Sequence, residues 1–430
     1  MAQYNFSISD YHSIDYADIK LDGITVIAGC NGSGKSTIAR WIYSFVNYTN
    51  DFYHLVDEQL VNRLESKLYS MYRILRNIDC LPYPKLRQFK TLSVDFKVDI
   101  DYSEIEHQFR NRVELFCDIV DNAIRNNDNP SFNRWISQSL GCEEPISSEY
   151  LSDFYYKSLN ILESSLETAY DKKKNCRLDE LFQFIQRDLD LITDLPKNIE
   201  FEENGHNLIS NNRFLIPISL GNAIYIDTPM ALSTKVTTEN KIWDGMMNAL
   251  TTPLREMPYN ARRIAVRIRR LIGGWIEVQK EDMSDSYDIR YIRKSDNLNI
   301  SINEAATGLK TFAYMLRLIE NGYLNEHSIL LIDEPEAHLH PQWIVEFARI
   351  LVLLHKEVGT TILLASHNPD MVAALKSISE AEEIDNKISF YQAKLDDYTQ
   401  RYTYQYLGND IEGIFESFNI ALNRIKDYGC

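Results

Sequence analysis

The sequence predicts an α/β fold in which helices flank a mixed β-sheet and a large, mainly helical insertion interrupts the chain. Three short apolar runs, at 24–28, 328–332 and 360–365, have the composition of strands that are buried on both faces. Polar or glycine-rich residues follow each run, and the carboxyl ends of parallel strands meet at one edge of a sheet. Between residues 49 and 204 the apolar residues instead recur at helical spacing. We therefore expect one sheet with a functional edge and a separate helical part.

The composition indicates a folded protein of the cytoplasm. Of the 430 residues, 44% are hydrophobic, which suffices for a large core and excludes a mainly disordered chain. The absence of a long apolar run and of a signal-peptide pattern predicts a cytoplasmic location. The six cysteines are widely spaced without a CxxC pair, which predicts reduced thiols. A net charge of −17 argues against a surface that is basic all over.

The first functional motif begins directly after the run at 24–28. Residues 29–36 read GCNGSGKS, and residues 37–43 continue as an expected helix, so the order is strand, GxxxxGK[ST], helix. In this arrangement backbone N–H groups surround the α- and β-phosphates of a nucleotide, Lys35 adds positive charge at the β- and γ-phosphates, and the Ser36 hydroxyl binds Mg²⁺. A glycine-rich turn without a ligand is the less favoured alternative, because both flanking elements are present. The predicted ATP-binding residues are Gly29, Asn31, Gly32, Ser33, Gly34, Lys35, Ser36 and Thr37.

Two acidic residues follow the second apolar run. Asp333 and Glu334 therefore belong to the same sheet edge as the glycine-rich loop. There Asp333 can hold Mg²⁺ or one of its waters, while Glu334 can orient and deprotonate the water that attacks the γ-phosphate. An acidic turn after a core strand is the alternative for these two residues alone, but the phosphate loop favours catalysis.

His367 follows the third apolar run. A histidine after a strand is usually an ordinary surface or capping residue. Here the run is the expected neighbour of the acidic strand, so we predict that His367 senses the γ-phosphate. The predicted cofactors are ATP and Mg²⁺, and the predicted catalytic residues are Lys35, Glu334 and His367.

The segments GCNGSGKST, LLIDEPEAHLHPQW and LLASHNPD together resemble ABC-type ATPases of the SMC and Rad50 lineage. More narrowly, they resemble the prokaryotic AAA15/AAA21 ATP-binding proteins, which include the ATPase parts of OLD-family nucleases and of anti-phage systems such as PARIS and Septu. The resemblance covers residues 1 to about 48 and about 205 to 430. It implies an ABC-type ATPase head with a helical signature lobe, and two copies that close head to tail on MgATP.

The resemblance also implies a signature loop at residues 303–311, NEAATGLKT, before the acidic strand. Thr307 and Gly308 take the place of the Ser-Gly pair that contacts the γ-phosphate held by the partner copy. The loop departs from the LSGGQ form, because Leu309 and Lys310 stand where the family has Gly and Gln. Lys310 either adds positive charge to that phosphate or is a solvated side chain, and the sequence leaves both interpretations open.

Two further expectations follow from the resemblance. Residues 336–343 are expected to cross the interface between the copies. The alternation of His338 and His340 would also suit a metal site, but no third ligand is evident nearby, so the interface is favoured. Asp227 is the residue that could replace the glutamine by which the family joins its two lobes.

The predicted insertion, residues 49–204, separates the two parts of the head at 1–48 and 205–430. A helix of 25 residues, at 1.5 Å per residue, is only about 38 Å long, so the helices of this insertion cannot form the long coiled-coil arm of a Rad50-type protein. We expect either a compact arm that docks another protein or a second copy, or a lid over the head. Its apolar stripes predict helices within 61–78, 103–120, 149–171 and 178–192. The second of these begins with a capping box that starts at Ser103.

Arginines crowd into residues 255–270, and some of them share one face of an expected helix. Contact with a nucleic-acid backbone is the functional interpretation. Solvation or pairing with acids is the alternative and is usual in a chain this acidic. The arginines concerned are Arg255, Arg262, Arg263, Arg267, Arg269 and Arg270.

These features together predict an ATP-binding and ATP-hydrolysing sensor or switch of an anti-phage system. It would form nucleotide-sandwich dimers or larger oligomers and control a nuclease or toxin supplied by a separate protein. Two alternatives stay open: a DNA repair or recombination ATPase of the RecF/Rad50 type, and a self-contained ATP-gated nuclease.

Overall fold

The chain forms two compact units. The computed structural model describes residues 2–78, 86–96, 100–127, 129–141, 148–188, 194–227, 241–280 and 287–415. The head unit comprises Met1–Asn50 and Leu178–Cys430, and the helical unit comprises Asp51–Arg177. Cys30, Cys117 and Cys176 are free thiols, whereas Cys80, Cys142 and Cys430 lie outside the described residues.

The strands of the head unit form one large sheet and two small ones. In chain order they are β1 Tyr4–Tyr11, β2 Ile14–Leu21, β3 Ile24–Ala28, β4 Asn198–Glu203, β5 His206–Asn207, β6 Ile209–Ser210, β7 Arg213–Phe214, β8 Asn222–Ile226, β9 Trp275–Lys280, β10 Tyr287–Arg293, β11 Leu298–Ser301, β12 Ser328–Asp333, β13 Thr361–Ser366, β14 Ile388–Leu395 and β15 Tyr402–Gly408. The large sheet has ten strands in the order β5-β4-β1-β2-β15-β14-β3-β13-β12-β8. Strands β9 to β11 form a three-stranded sheet, and β6 pairs with β7.

Parallel pairing brings the three motif-bearing strand ends together. Neighbouring strands from β14 through β3, β13 and β12 to β8 run parallel. The residues of β3, β12 and β13 are all buried, as their apolar sequences predict. In register, Ala28 lies opposite Ser366, and Asp333 lies opposite Ala365. The loops that follow these strands therefore meet at one edge, and the predicted mixed α/β fold is confirmed.

Helices cover the large sheet and build the helical unit. In the described residues they are α1 Lys35–Asn50, α2 Phe52–Leu75, α3 Tyr102–Arg125, α4 Pro130–Ser139, α5 Ser148–Asn175, α6 Leu178–Asp188, α7 Lys241–Thr251, α8 Arg262–Ile272, α9 Thr307–Glu320, α10 Pro341–Leu353 and α11 Pro369–Ala381. In the head unit, α1 packs on β8, α9 on α8, and α10 on α11. None of the described helices is both long and apolar enough to cross a membrane.

The helical unit is built around α2, α3 and α5, which contact one another. Leu64, Leu68 and Phe116 are buried in it, in agreement with the predicted apolar stripes. The predicted capping box at Ser103 is wrong. Asp101 caps α3 instead, because its side chain accepts a hydrogen bond of 2.8 Å from the backbone N–H of Ser103.

The helical unit is shorter than the predicted insertion at 49–204, since it ends at Arg177. Helix α6 and strand β4 belong to the head unit, and β4 pairs with β1 in the large sheet. Strand β4 has alternating burial and few apolar residues, so its sequence does not separate it from the preceding helices. Residues 189–192 of the predicted fourth helix lie outside the described residues.

Candidate functional site

The glycine-rich loop joins β3 to α1, and its backbone geometry requires its glycines. Gly32 and Gly34 have φ values of 78° and 96°, which are costly for any residue with a Cβ. A Cβ on Gly34 would also lie 2.6 Å from Cγ1 of Ile14. The loop therefore lies close against β2 and leads into the N-terminus of α1, where backbone N–H groups and the helix dipole favour an anion.

Lys35 is the first residue of α1 and is largely buried. Its Nζ donates hydrogen bonds of 2.8 Å to the carbonyl oxygens of Gly29 and Cys30 and lies 3.4 Å from Oγ of Ser33. Burial lowers the pKa of Lys35, and the Asp333 carboxylate acts in the opposite direction. A buried ammonium group among neutral oxygen atoms is well suited to an anionic phosphate.

A cleft of about 250 Å³ opens beside this loop. It is lined by His12, Ser13, Asn31, Gly32, Ser33, Gly34, Lys35, Ser36, Thr37, Asp333 and Glu334. The structure thus brings most of the predicted loop residues together with both predicted acids. His12 and Ser13 belong to the turn between β1 and β2, and no sequence motif indicated them.

Asp333 and Ser36 present two oxygen ligands side by side. The Ser36 hydroxyl hydrogen-bonds to the carboxylate of Asp333, and the hydroxyl of Tyr225 donates to its Oδ2 at 3.4 Å. Burial raises the pKa of Asp333, and the hydrogen bond from Ser36 opposes that shift. Carboxylate and hydroxyl oxygens are ligands that Mg²⁺ prefers, so these residues fit the predicted magnesium site.

Glu334 follows β12, His367 follows the neighbouring strand β13, and the two residues lie next to each other. Glu334 has a φ of 50°, and its N–H donates to the carbonyl oxygen of Ala365 at 2.9 Å. This left-handed conformation, which is uncommon for residues with a Cβ, turns the chain away from β12. Its Oε1 lies 3.6 Å from Nδ1 of His367.

Glu336 is a third carboxylate at this edge, which the sequence assigned only to an interface loop. Its two oxygens each lie 3.0 Å from the Oγ of Ser366, which donates to them, and Oε1 accepts a further bond of 3.0 Å from the backbone N–H of His367. Nδ1 of His367 lies 3.4 Å from the same oxygen. Burial raises the pKa of Glu336, while the hydrogen bonds that it accepts lower it. Glu336 therefore holds His367 in place beside Glu334.

The signature residues lie at the start of α9 and outside the lining of the cleft. Thr307 is half-buried, and a Cβ on Gly308 would lie 3.1 Å from Cε3 of Trp343. The side chain of Lys310 is buried, and Nζ donates to the carbonyl oxygen of Asn303 at 2.9 Å. It is therefore not a solvated side chain in the single copy, and its contact with a phosphate of the partner copy stays a prediction.

Asp227 follows β8 and forms an ion pair of 3.5 Å with Arg40 of α1. Its charge also raises the pKa of Asp333, although less than burial does. Asp227 therefore lies near the end of the acidic strand β12. That it takes the place of the glutamine by which the family joins its two lobes stays a prediction. His338 and His340 do not join a third ligand in any part of the chain that the structure describes. His340 caps α10 instead.

The arginine cluster lies mostly on α8, with Arg255 in the segment before it. Carboxylates of neighbouring elements pair with several of these side chains. The pairs are Arg263 with Glu357 at 3.5 Å, Arg267 with Glu346 at 2.8 Å and Arg269 with Glu320 at 2.6 Å. Arg262 lies over the ring of Tyr259 at 5.4 Å. The pairing neutralises much of the charge, so these contacts favour the structural interpretation over nucleic-acid binding.

A phosphate loop between a central strand and a helix, with an acidic strand end and a histidine beside it, defines an ABC-type ATPase head. The model of the AAA ATPase domain family AAA_15 matches residues 1–372, and the chain belongs to this family. Curated relatives match over short stretches only. The chain is 43% identical over 47 residues to the energy-coupling factor transporter ATP-binding protein EcfA2 of Clostridium perfringens, which is 11% of this chain and 16% of that protein. It is 40% identical over 57 residues to the thiamine import ATP-binding protein ThiQ of Rhizobium meliloti, which is 13% of this chain and 24% of that protein.

Similar solved structures include the SMC head domain from Thermotoga maritima, with a TM-score of 0.36 and 10% identity over 95% of this chain and 99% of that one. Another is the ADP conformation of MJ1267, an ATP-binding cassette of an ABC transporter, with a TM-score of 0.36 and 9% identity over 96% of this chain and 94% of that one. At these scores the overall likeness is loose. The fold assignment rests on the strand order and on the positions of the motifs.

Proposed function

We propose that the protein is an ATPase in which MgATP binding closes two copies head to tail and hydrolysis lets them separate. The observation that carries this proposal is the shared cleft, in which Lys35 and Ser36 of the phosphate loop face Asp333 and Glu334 of the acidic strand end. The family assignment supports nucleotide use in general terms.

Different residues of the cleft would bind the phosphates and the magnesium ion. The backbone of the phosphate loop and Lys35 would hold the phosphates, and Ser36 and Asp333 would hold Mg²⁺. MgATP, when bound, supplies a γ-phosphoryl group that can be transferred to water. The hydroxyl of Tyr225 donates to the carboxylate of Asp333. Burial raises the pKa of Asp333, and the positive charge of Arg40 opposes that shift.

The residues beside the cleft provide the proton chemistry. Glu334 is the base that accepts a proton from the attacking water. Nδ1 of His367 lies 3.6 Å from Oε1 of Glu334 and 3.4 Å from Oε1 of Glu336, so the two carboxylates orient its ring. An N–H group of this ring would donate a hydrogen bond to an anionic oxygen in the cleft.

The pairing of two copies is proposed from the position of the signature residues. Thr307 and Gly308 begin α9 and do not line the cleft of their own chain among the described residues. In a head-to-tail pair they would contact the phosphate that the partner copy holds, as the family resemblance implies.

We further propose that the ATPase is the sensor or switch of an anti-phage system and controls an effector on a separate protein. The resemblance to AAA15/AAA21 proteins supports this role, and the compact helical unit offers a surface for such a partner. Neighbouring genes discriminate the alternatives, because an adjacent nuclease or toxin favours the switch and adjacent repair genes favour a repair ATPase. A nuclease activity of the purified chain alone would favour the third alternative.

Two variants test the proposed function. Lys35→Ala removes the charge at the phosphates, so MgATP binding measured by calorimetry should weaken strongly. Glu334→Gln keeps the size of the side chain but removes its basicity, so hydrolysis should slow by about 10²–10⁴-fold while MgATP still binds. Glu326→Gln, whose side chain is 72% exposed, is the matched control and should behave as wild type. Unchanged affinity in Lys35→Ala would contradict the phosphate-loop assignment.

The same variants distinguish a switch from a motor in a phage-plating assay. If ATP binding alone drives the output, Glu334→Gln should protect as well as or better than wild type, while Lys35→Ala should be inactive. Repeated hydrolysis would instead require both variants to be inactive. A Glu334→Gln protein that is expressed, binds ATP and gives no protection would rule out the switch.

A further inference from the structure

The turn between β1 and β2 forms one wall of the nucleotide cleft. His12 and Ser13 of this turn line the cleft together with Asp333 and Glu334. The next residue, Ile14, lies so close to the phosphate loop that a Cβ on Gly34 would approach its Cγ1 to 2.6 Å. The position of the turn therefore limits where the phosphate loop can lie.

Two residues at this turn have left-handed backbone conformations. Asp10 has a φ of 55° and His12 a φ of 50°, in a region that residues with a Cβ adopt uncommonly. His12 begins a two-residue hairpin turn, where a positive φ is usual. Contacts from elsewhere in the chain hold this backbone in addition.

Those contacts come from Arg401 and Tyr402, almost the whole length of the chain away. The guanidinium of Arg401 donates to Oδ1 of Asp10 at 2.6 Å, to the carbonyl oxygen of His12 at 3.3 Å and to that of Ile14 at 2.9 Å. The backbone N–H of Tyr402 donates to the carbonyl oxygen of Ser13 at 2.8 Å. Three consecutive carbonyl oxygens of the turn, at residues 12, 13 and 14, thus accept bonds from two adjacent residues.

The same strand also contacts the phosphate loop, which lines the cleft as well. Tyr404 of β15 is buried, and its hydroxyl donates to the carbonyl oxygen of Ser33 in the phosphate loop at 2.8 Å. Strand β15 is inserted between β2 and β14 in the large sheet, so it is anchored on both sides. Residues 401–404 thereby connect the turn and the phosphate loop.

We propose that Arg401 and Tyr404 are positioning residues that hold the turn and the phosphate loop in the arrangement that a nucleoside triphosphate requires. Neither residue is among those that line the cleft. Arg401 and Tyr404 order the turn and the loop before the nucleotide binds, so the free energy of binding is not reduced by the cost of that ordering. This inference rests on the proposed function of the cleft as the nucleotide site.

The test is the affinity for Mg²⁺ and a non-hydrolysable ATP analogue, measured by calorimetry on the full chain. Arg401→Ala frees the turn and should raise the Kd by about 10–100-fold, as expected when preorganisation is lost. Tyr404→Phe keeps the ring and loses only the bond to Ser33, and should raise the Kd by about 3–10-fold. Tyr404→Phe also keeps the proposal testable if Arg401→Ala does not fold.

Matched controls separate positioning from general stability. Arg293→Ala breaks a similar ion pair, 2.6 Å from Asp296, in the three-stranded sheet, and Tyr406→Phe changes a half-exposed tyrosine of the same strand β15. Both should keep the wild-type Kd. Hydrogen exchange followed by mass spectrometry should show faster exchange of residues 10–14 in Arg401→Ala and not in Arg293→Ala.

The outcomes distinguish this inference from the proposed function. A wild-type Kd in both Arg401→Ala and Tyr404→Phe, together with a weakened Kd in Lys35→Ala, overturns the positioning role and leaves the cleft assignment intact. If the Kd is unchanged in Lys35→Ala as well as in these two variants, both the positioning role and the assignment of the cleft as the nucleotide site are overturned. A Kd that weakens equally in the Arg293→Ala control also overturns the positioning role, because the effect would then reflect stability alone.

Discussion

Glu336 shows how a single buried carboxylate organises the edge of the sheet at which we propose that catalysis occurs. Its side chain is 4% exposed, and it accepts bonds from Ser366 and from the backbone of His367. Removing it leaves buried donors without an acceptor, which usually costs more than the bond itself contributes. The sequence places Glu336 beside the catalytic pair, but only the structure shows that it faces His367.

We therefore expect Glu336→Ala to lower the free energy of unfolding by at least about 2 kcal/mol, because two donors lose their acceptor. Urea denaturation followed by circular dichroism measures this change. Glu380→Ala, at an exposed position of α11, is the control and should change stability by less than about 0.5 kcal/mol. A Glu336→Ala protein as stable as the control would contradict the assigned role.

Helix α9 shows how an element can present residues to a second copy. Gly308 is buried against Trp343, so a larger side chain there would disturb the packing of α9 on α10 as well as any contact with a partner. Thr307 is half-buried at the helix start and can be changed with less damage to the fold. It is the better position at which to test contact in trans.

Thr307→Glu should keep the Kd for MgATP near the wild-type value and abolish ATP-dependent association, since its carboxylate would face the γ-phosphate held by the partner copy. Calorimetry and light scattering measure the two quantities. Thr252→Glu, at an exposed position after α7, should leave both unchanged. Equal loss of binding and association in Thr307→Glu would place this loop in the site of its own chain.

The elements that a sequence predicts well are those with a strong local pattern. The apolar runs locate β3, β12 and β13 to within one residue, and the loop and acids that follow them converge on one cleft. The contacts of Arg401 with the turn at residues 10–14 have no local signal, because they join the two ends of the chain. Strand β4 was likewise missed, since its place in the sheet depends on pairing with β1.

At the scale of the whole molecule, we propose that two heads act as one ATPase. In this proposal each chain supplies the residues that would hold phosphate and metal, while its signature residues lie outside the cleft. Where the structure describes it, the helical unit is built from helices of at most 28 residues, which is far shorter than the arm of a Rad50-type protein. The head pair, rather than a long lever, is therefore the moving part that we propose.

The most direct test of this claim is the mass of the Glu334→Gln protein in solution, measured by sedimentation velocity with and without MgATP. Because we expect this variant to bind ATP and to hydrolyse it slowly, the closed pair should accumulate. MgATP should raise the mass from the 50.1 kDa of one chain to at least twice that value. The Lys35→Ala and Thr307→Glu variants should show no such change. A Glu334→Gln protein that binds MgATP by calorimetry and keeps the same mass with and without it would contradict the account.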